Sequence, residues 1–257
     1  MKTIITIITI ITALLFVCTV AISQDTLYIY NSGAIVYKRA VSTIDSVIFY
    51  NSFACGTSTI TDIDGNTYNT VSIGSQCWMK ENLKVTKYSN GDVIGTTTPA
   101  TLDISSESTP KYQWAAYNGN DSNVATYGRT YTWYAVTDSR NVCPTGWHVP
   151  TDVEWTTLTD YLGGESVAGG KMKEAGTSHW YSPNTGADNS SGFTALAGGN
   201  RNPDGPFLNF GFHGYWWSST VYDTNNAWNR ALGCYDSIIE RQGHLNSFGF
   251  SVRCVKD

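Results

Sequence analysis

The chain has 257 residues, of which 41% are hydrophobic and only 14% are charged, with a formal net charge of −5. The hydrophobic fraction excludes a disordered protein. The low charge, together with 24 Gly, 9 Trp and 16 Tyr, is typical of an all-β or α+β protein with long hydrogen-bonded loops. Because the chain is acidic and contains no run of Lys or Arg, the sequence predicts no nucleic-acid partner.

Residues 1–23 have the pattern of a secretory signal peptide. Lys2 precedes an apolar stretch from Ile4 to Val20, and the small residues Ala21 and Ser23 follow it. The pattern predicts cleavage just after Ser23 and a protein that is extracellular or held at the cell surface. No later stretch of the sequence approaches transmembrane length.

Two other interpretations of this segment stay open. The apolar run is close to the roughly 20 residues that span a bilayer, so it could anchor the chain in a membrane. Lipidation of Cys18 would instead make the chain a lipoprotein, although the bulky Val17 stands where a small residue is expected.

We expect mass spectrometry of the exported protein to find Gln24 at its N-terminus, because signal peptidases cut after the small-residue pattern that ends at Ser23. A chain that begins with a lipid-modified Cys18 would contradict this prediction.

Removal of the signal leaves an odd number of cysteines, namely Cys55, Cys77, Cys143, Cys234 and Cys254. In an oxidising compartment disulfides are expected, and at least one thiol lacks a partner within the chain. The sequence contains no C-x-x-C pair and no H-x-x-x-H, so it predicts neither a metal site nor a cofactor.

Residues 24–50 are rich in β-branched and aromatic residues around an Asn31-Ser32-Gly33 turn, which predicts a short β module with one hairpin and a third apolar run over residues 47–50. Residues 51–58 have the composition of a linker. A second hairpin is predicted at Asp64-Gly65, between strands over 59–63 and 67–73.

The segment 89–110 has the composition of a surface loop, and the aromatic-rich segment 111–136 is typical of packed strands. A capping box of Thr151 and Glu154 predicts an amphipathic helix that ends at Gly163-Gly164. A weaker helical pattern follows over 165–175. Short strands are then predicted over residues 214–220, 227–235, 237–241 and 248–255.

Five segments resemble one bacterial family. They are Trp78-Met79-Lys80-Glu81-Asn82-Leu83, Tyr131-Thr132-Trp133-Tyr134-Ala135, Cys143-Pro144-Thr145-Gly146-Trp147-His148-Val149-Pro150-Thr151 with Glu154-Trp155, Trp216-Trp217-Ser218-Ser219-Thr220 and Gly249-Phe250-Ser251-Val252-Arg253-Cys254-Val255. In this order they resemble the Fibrobacter succinogenes major paralogous domain over residues 59–257. The segment before them is similar to a module that often precedes such domains in surface proteins of the Bacteroidetes.

That family is similar to the C-type-lectin-like and formylglycine-generating-enzyme-like superfamily. The resemblance implies an α+β fold, with a small twisted antiparallel sheet, one or two helices and long loops. It implies no particular reaction, because one fold carries many functions.

Five cysteines with one left over allow many pairings, so spacing alone does not choose among them. Cys143 precedes the capped helix, and Cys254 alternates with Phe250 and Val252 on the inward face of the last strand. The implied lectin-like fold closes a helix-side cysteine onto that strand, which favours a Cys143–Cys254 disulfide. Cys77 with Cys234 is the weaker second pair, and Cys55 would then be free.

Candidate binding residues lie in or after loop 198–213, because long loops carry ligands in folds of the implied kind. They are Arg201, Asp204, Trp217 and Trp228. Trp216 and Trp217 should point to opposite faces of a strand, so one of them could be exposed, although burial of both is the favoured interpretation. A calcium site using Asn202, Asp204 and Asn229 is a less favoured alternative, because Asn-Pro-Asp-Gly is by itself a strong turn sequence.

These features predict an exported, non-enzymatic protein that binds a carbohydrate or a surface protein. The four histidines lack ligand spacing, and no nucleophile elbow or phosphate loop occurs. The alternatives are a structural surface domain without a small ligand and, less favoured, an oxidase similar to the formylglycine-generating enzymes.

Overall fold

The computed structural model describes residues 20–23, 26–31, 34–40 and 53–257, and the chain divides into two compact units at Ser52. In the first unit, three strands form an antiparallel sheet in the order β1-β2-β3. They are β1 (Val20–Ser23), β2 (Thr26–Asn31) and β3 (Ala34–Ala40). The predicted hairpin is therefore present, whereas β1 belongs to the predicted signal peptide and the apolar run 47–50 lies outside the described residues.

The second unit begins at Phe53 and mixes strands with a few helices. Its strands are β4 (Ile60–Thr61), β5 (Thr67–Tyr68), β6 (Thr70–Ile73), β7 (Gln76–Met79), β8 (Gln113–Ala115), β9 (Arg129–Tyr131), β10 (Trp147–His148), β11 (Asn200–Arg201), β12 (Phe207–Leu208), β13 (His213–Val221), β14 (Asn226–Gly233), β15 (Ile239–Leu245), β16 (Phe250–Ser251) and β17 (Val255–Lys256). Its helices are α1 (Val124–Tyr127), α2 (Trp133–Val136), α3 (Asp152–Tyr161) and α4 (Glu165–Met172). The fold is thus α+β, as predicted, and no helix in the described part of the chain is long and apolar enough to cross a membrane.

A six-stranded sheet in the order β15-β14-β13-β16-β9-β8 is the centre of this unit. Neighbouring strands within this sheet are antiparallel, except that β13 and β16 are parallel to each other. A four-stranded sheet in the order β10-β17-β7-β6 contains the last strand of the chain. The two sheets are linked near the C-terminus, because β16 and β17 are separated by only three residues.

Helix α3 begins where the capping box predicts it. The Thr151 hydroxyl accepts a hydrogen bond from the Glu154 N–H, and the Glu154 carboxylate accepts one from the Thr151 N–H. The helix buries Trp155 and Leu158, as its apolar face predicts. Helix α4 ends at Met172, before the predicted end, because Lys173 is already extended.

Two apolar clusters lie on opposite faces of strand β13. Trp217 belongs to one cluster, with Phe250, Val252 and Tyr131. Trp216 belongs to the other, with Trp78, Trp155, Phe193 and Leu232. The two tryptophans point to opposite faces as expected, and both are completely buried, which was the favoured interpretation.

The predicted Cys143–Cys254 disulfide is confirmed, with the two Cα atoms 6.1 Å apart. The weaker prediction of Cys77 with Cys234 is wrong, because Cys77 is bonded to Cys55. Cys234 is instead the free thiol, and it is fully buried in the Trp216 cluster. Cys55 therefore fastens residues 53–58 to strand β7, and these residues are part of the folded unit rather than a free linker.

The predicted turn at Asp64-Gly65 joins β4 and β5. Asp62 builds it: its buried carboxylate accepts bonds from the N–H groups of Asp64 and Asn66 and from the Tyr68 hydroxyl at 2.5 Å. Asp62 thus acts within the turn itself, whereas the Asp64 carboxylate accepts a hydrogen bond from the Thr86 N–H at 2.6 Å.

Candidate functional site

Several polar residues from the five segments that carry the family resemblance lie together in the core. Asn82 lies at the centre of this cluster, where its Oδ1 accepts hydrogen bonds from Arg253 Nη2 at 2.9 Å and Trp216 Nε1 at 2.8 Å. Arg253 also stacks on Phe193, with 4.1 Å between the guanidinium carbon and the ring centre. Burial lowers the pKa of Arg253 to about 9. These buried hydrogen bonds connect three of the five segments within the core.

Two of the predicted binding residues are buried, and their predicted role is corrected. The Trp217 indole N–H donates to the Tyr131 carbonyl at 2.7 Å, and its ring packs 4.5 Å from that of Phe250. Arg201 donates to the carbonyls of Ala100 and Leu102. Neither side chain presents a surface to a ligand, because each is 0% exposed.

The other two predicted residues are accessible but lie on different parts of the chain. Asp204 is exposed in the turn between β11 and β12. Trp228 on β14 is half-buried: the Arg241 guanidinium lies 3.4 Å from its ring centre, and the Tyr222 ring meets it edge-on at 4.5 Å. These two neighbours cover much of the indole, so it does not offer a free stacking face.

The calcium alternative finds no support in the placement of Asn229. This residue is fully buried, and its Oδ1 lies 2.8 Å from His244 Nδ1. Within the described ranges, no group of three or more His, Cys, Asp or Glu side chains is arranged to hold a metal ion.

A polar groove lies along the edge of the six-stranded sheet formed by β8. We refer to the surface formed by the following residues as the β8 groove: Thr96, Thr97, Thr98, Ala100, Gln113, Trp114, Ala115, Gly119, Asp121 and Arg129. Its volume is about 350 Å³. This is within the range of roughly 300 to 1,000 Å³ that is usual for small-ligand sites.

Three polar side chains form a hydrogen-bonded array in the β8 groove. Arg129 donates from Nη1 to Gln113 Oε1 and from Nη2 to Asp121 Oδ1, each at 2.9 Å. Its Nε donates to the Lys84 carbonyl at 3.1 Å, which fixes the guanidinium plane. The Asp121 side chain is 79% exposed, so its second oxygen is available as an acceptor.

The strand pairing explains how the array forms. Arg129 on β9 is opposite Ala115 on β8, and Gln113 is opposite Tyr131, so alternate residues bring Gln113 and Arg129 to the same side of the sheet. Asp121 follows in the turn before α1, where the Asn120 side chain caps the backbone. Sequence reasoning missed these residues because none belongs to a recognisable motif.

The opposite wall of the groove is a segment that Arg201 holds in place. Thr97 accepts from the Trp114 indole N–H at 2.8 Å, and Arg201 stacks over Trp114 at 4.1 Å. Arg201 also bonds to the carbonyl groups of residues 100 and 102, as described above. Arg201, which lies in the predicted binding loop 198–213, therefore holds this wall of the groove in place and does not line the groove itself.

Gly119 allows the two walls of the groove to approach each other. Its φ is +65°, and a Cβ at this position would lie 2.5 Å from the Cβ of Ala100. Any larger residue would force residues 97–100 away from the turn at 118–121.

The histidines of the described chain lie away from the β8 groove, and two of them pair with carboxylates. His148 Nε2 lies 2.8 Å from Glu154 and its Nδ1 lies 2.6 Å from Asp257. Burial alone would lower the pKa of His148, but its hydrogen bonds to the two carboxylates outweigh burial and raise the pKa. His148 thus links the start of α3 to the chain end.

The second unit is a disulfide-bonded α+β domain. Residues of the five segments that carry the family resemblance contribute to its core, and the candidate site, the β8 groove, lies at a sheet edge. The chain belongs to the Fibrobacter succinogenes major domain family, whose family model matches residues 71–256. A search of the curated proteins found no match. A search of the solved structures also found none.

Proposed function

We propose that this protein is an exported, non-enzymatic binding protein that recognises a carbohydrate in the β8 groove. The observation that carries the proposal is the Arg129–Gln113–Asp121 array, which is fixed by hydrogen bonds before any ligand arrives. A prearranged site loses little conformational entropy on binding.

The chemistry of the groove favours a neutral sugar. Sugar hydroxyls are both donors and acceptors, and the groove offers guanidinium and amide donors, carboxylate and amide acceptors, and threonine hydroxyls that are both. Arg129 and Asp121 neutralise each other, so the groove has no excess of one charge. An anionic or cationic ligand would find no uncompensated partner there.

Two further observations support the proposal that the protein is exported. The signal-like N-terminal segment and the two disulfides favour an oxidising compartment outside the cytoplasm.

The lectin-like fold remains part of the proposal. It is consistent with long loops held against a small twisted sheet, and it carries no weight in the choice of ligand. The oxidase alternative needs two closely spaced cysteines, whereas Cys254 is bonded to Cys143.

We expect Asp121→Ala to weaken glycan binding about tenfold, because the change removes the charged acceptor of the groove and leaves Arg129 Nη2 without its partner. The measurement is a glycan array with wild-type protein, followed by calorimetry with the best glycan. Thr96→Trp should also abolish binding, because a large side chain at this exposed position would fill the groove.

Asp92→Ala is the matched control for Asp121→Ala. Asp92 forms a similar exposed ion pair, with 3.0 Å between its Oδ2 and Arg140 Nη1, but it does not line the groove. Its loss should leave binding unchanged. Binding that survives both Asp121→Ala and Thr96→Trp would show that the groove is not the site, and an array without a binding glycan would contradict the carbohydrate proposal.

A further inference from the structure

A tyrosine beside the β8 groove has an unusual backbone conformation. Tyr117, Asn118 and Gly119 are three consecutive residues with positive φ, at +57°, +59° and +65°. Asn and Gly adopt this left-handed conformation readily, whereas a bulky residue such as Tyr seldom does. Backbone strain of this kind persists only where the surrounding contacts hold it, and it concentrates at functional sites. Tyr117 is therefore a candidate for a functional role.

The ring of Phe210 holds the Tyr117 side chain in place. The two rings are stacked, with their centres 3.9 Å apart and their planes 24° from parallel. Phe210 in turn meets the buried ring of Tyr127 edge-on, with 4.9 Å between the ring centres. Tyr117 is 37% exposed, and because Phe210 covers one face of its ring, the exposed area belongs to the other face and the edges. The outer face of Tyr117 is thus an aromatic surface that is fixed before any ligand arrives.

Tyr117 stands in the chain between two residues of the β8 groove. Ala115 and Gly119 both line the groove, and each is two residues away from Tyr117. Consecutive Cα atoms are 3.8 Å apart, so the Cα atom of Tyr117 lies within about 7.6 Å of the Cα atoms of both. This distance is comparable with the length of one pyranose residue. A sugar in the groove and a second sugar on Tyr117 can therefore belong to one chain.

The same turn also presents free hydrogen-bonding groups. Asn118 is exposed, and its side chain forms no hydrogen bond within the described part of the chain. The Tyr117 hydroxyl likewise has no protein partner among the described residues. A side-chain amide donates and accepts, and so does a phenol hydroxyl. Both groups match the hydroxyls of a sugar, as the groups of the groove do.

We infer that Tyr117 and Asn118 form a second sugar subsite beside the β8 groove, so that the ligand is an oligosaccharide of at least two sugar residues. The inference rests on the carbohydrate proposal above. One face of a pyranose presents C–H groups, and the electron-rich face of an aromatic ring attracts them. The groove binds the hydroxyls of one sugar, and the Tyr117 ring packs on the next. The continuity of the two surfaces favours a sugar over a protein partner, because a single glycan chain occupies both.

A glycan array that carries neutral single sugars beside the linear oligosaccharides built from them tests the subsite. We expect the wild type to bind the oligosaccharides about tenfold more tightly than the single sugars, because only they reach the ring. Calorimetry with the best oligosaccharide and its single sugar then compares variants. Tyr117→Asn should weaken oligosaccharide binding about tenfold and leave single-sugar binding unchanged, since asparagine removes the ring and tolerates the positive φ. Tyr117→Phe keeps the ring and should bind nearly as tightly as the wild type.

Thermal unfolding tests the strained conformation itself. Tyr117→Gly should unfold at a higher temperature than Tyr117→Ala, because glycine adopts a positive φ without strain and alanine does not. The opposite order would contradict the conformation from which the inference starts.

Tyr161→Asn is the matched control, because Tyr161 is an exposed tyrosine on α3 that does not line the groove. It should bind like the wild type, and circular dichroism should show every variant folded. Equal affinity for single sugars and oligosaccharides, or a Tyr117→Asn variant that binds oligosaccharides like the wild type, would overturn the inference. If Asp121→Ala weakens binding and Tyr117→Asn does not, the groove is the site and the second subsite is wrong. If only Tyr117→Asn weakens binding, Tyr117 contacts the sugar and the groove proposal is wrong.

Discussion

Replacement of both Cys143 and Cys254 by alanine should lower the free energy of unfolding by about 5 kcal/mol. The bond joins residues 111 positions apart, and chain-entropy arguments give this magnitude for a loop of that length. Both cysteines are buried, so their loss also leaves a cavity in the apolar cluster that contains Trp217. We expect urea unfolding of the variant to show a midpoint well below that of the wild type.

The second disulfide is the matched control. Cys55 and Cys77 are separated by only 22 positions, so the same argument gives a loss of about 3 kcal/mol when both are replaced by alanine. The order of the two losses is the decisive result. If removal of Cys55–Cys77 costs as much as removal of Cys143–Cys254, loop closure does not determine their contributions.

The elements predicted correctly are those whose signals are local. The capping box of α3 needs only Thr151 and Glu154, three residues apart, and alternation alone places Trp216 and Trp217 on opposite faces. The Cys143–Cys254 bond was predicted from its neighbours together with the family resemblance. The second bond was missed because the segment containing Cys55 has the composition of a linker, and composition does not show that it packs against β7.

The candidate site was missed for a related reason. Arg129, Gln113 and Asp121 meet through strand pairing and a turn, and their spacing matches no helical or strand period. Arg201 was predicted to contact ligand because it lies in loop 198–213, and long loops carry ligands in folds of the implied kind. In the fold it is buried, since three backbone carbonyls and the Trp114 ring surround its guanidinium.

Asp152→Ala should destabilise the fold by about 3 to 5 kcal/mol. Asp152 is the first residue of α3, and its carboxylate accepts from Arg230 Nη1 at 2.7 Å and from Arg241 Nη2 at 2.8 Å. Arg230 is only 2% exposed, and removal of one partner from a buried ion pair leaves an uncompensated charge. Asp160→Ala on the exposed face of the same helix is the control, and we expect it to change stability by less than about 0.5 kcal/mol.

The effect of Asp152 should also depend on pH. Burial alone would raise its pKa, but the hydrogen bonds and charges of Arg241 and Arg230 outweigh burial and lower the pKa below its ordinary value of 3.8. A carboxyl group whose pKa is lowered by folding stabilises the protein fully above its unfolded pKa, and it loses that contribution as the pH falls through the folded pKa. The stability difference between wild type and Asp152→Ala should therefore be constant near neutral pH and shrink as the pH falls below about 4. Urea unfolding of both proteins across this range measures the difference. A gap that widens on acidification would show that Asp152 does not act through its charge.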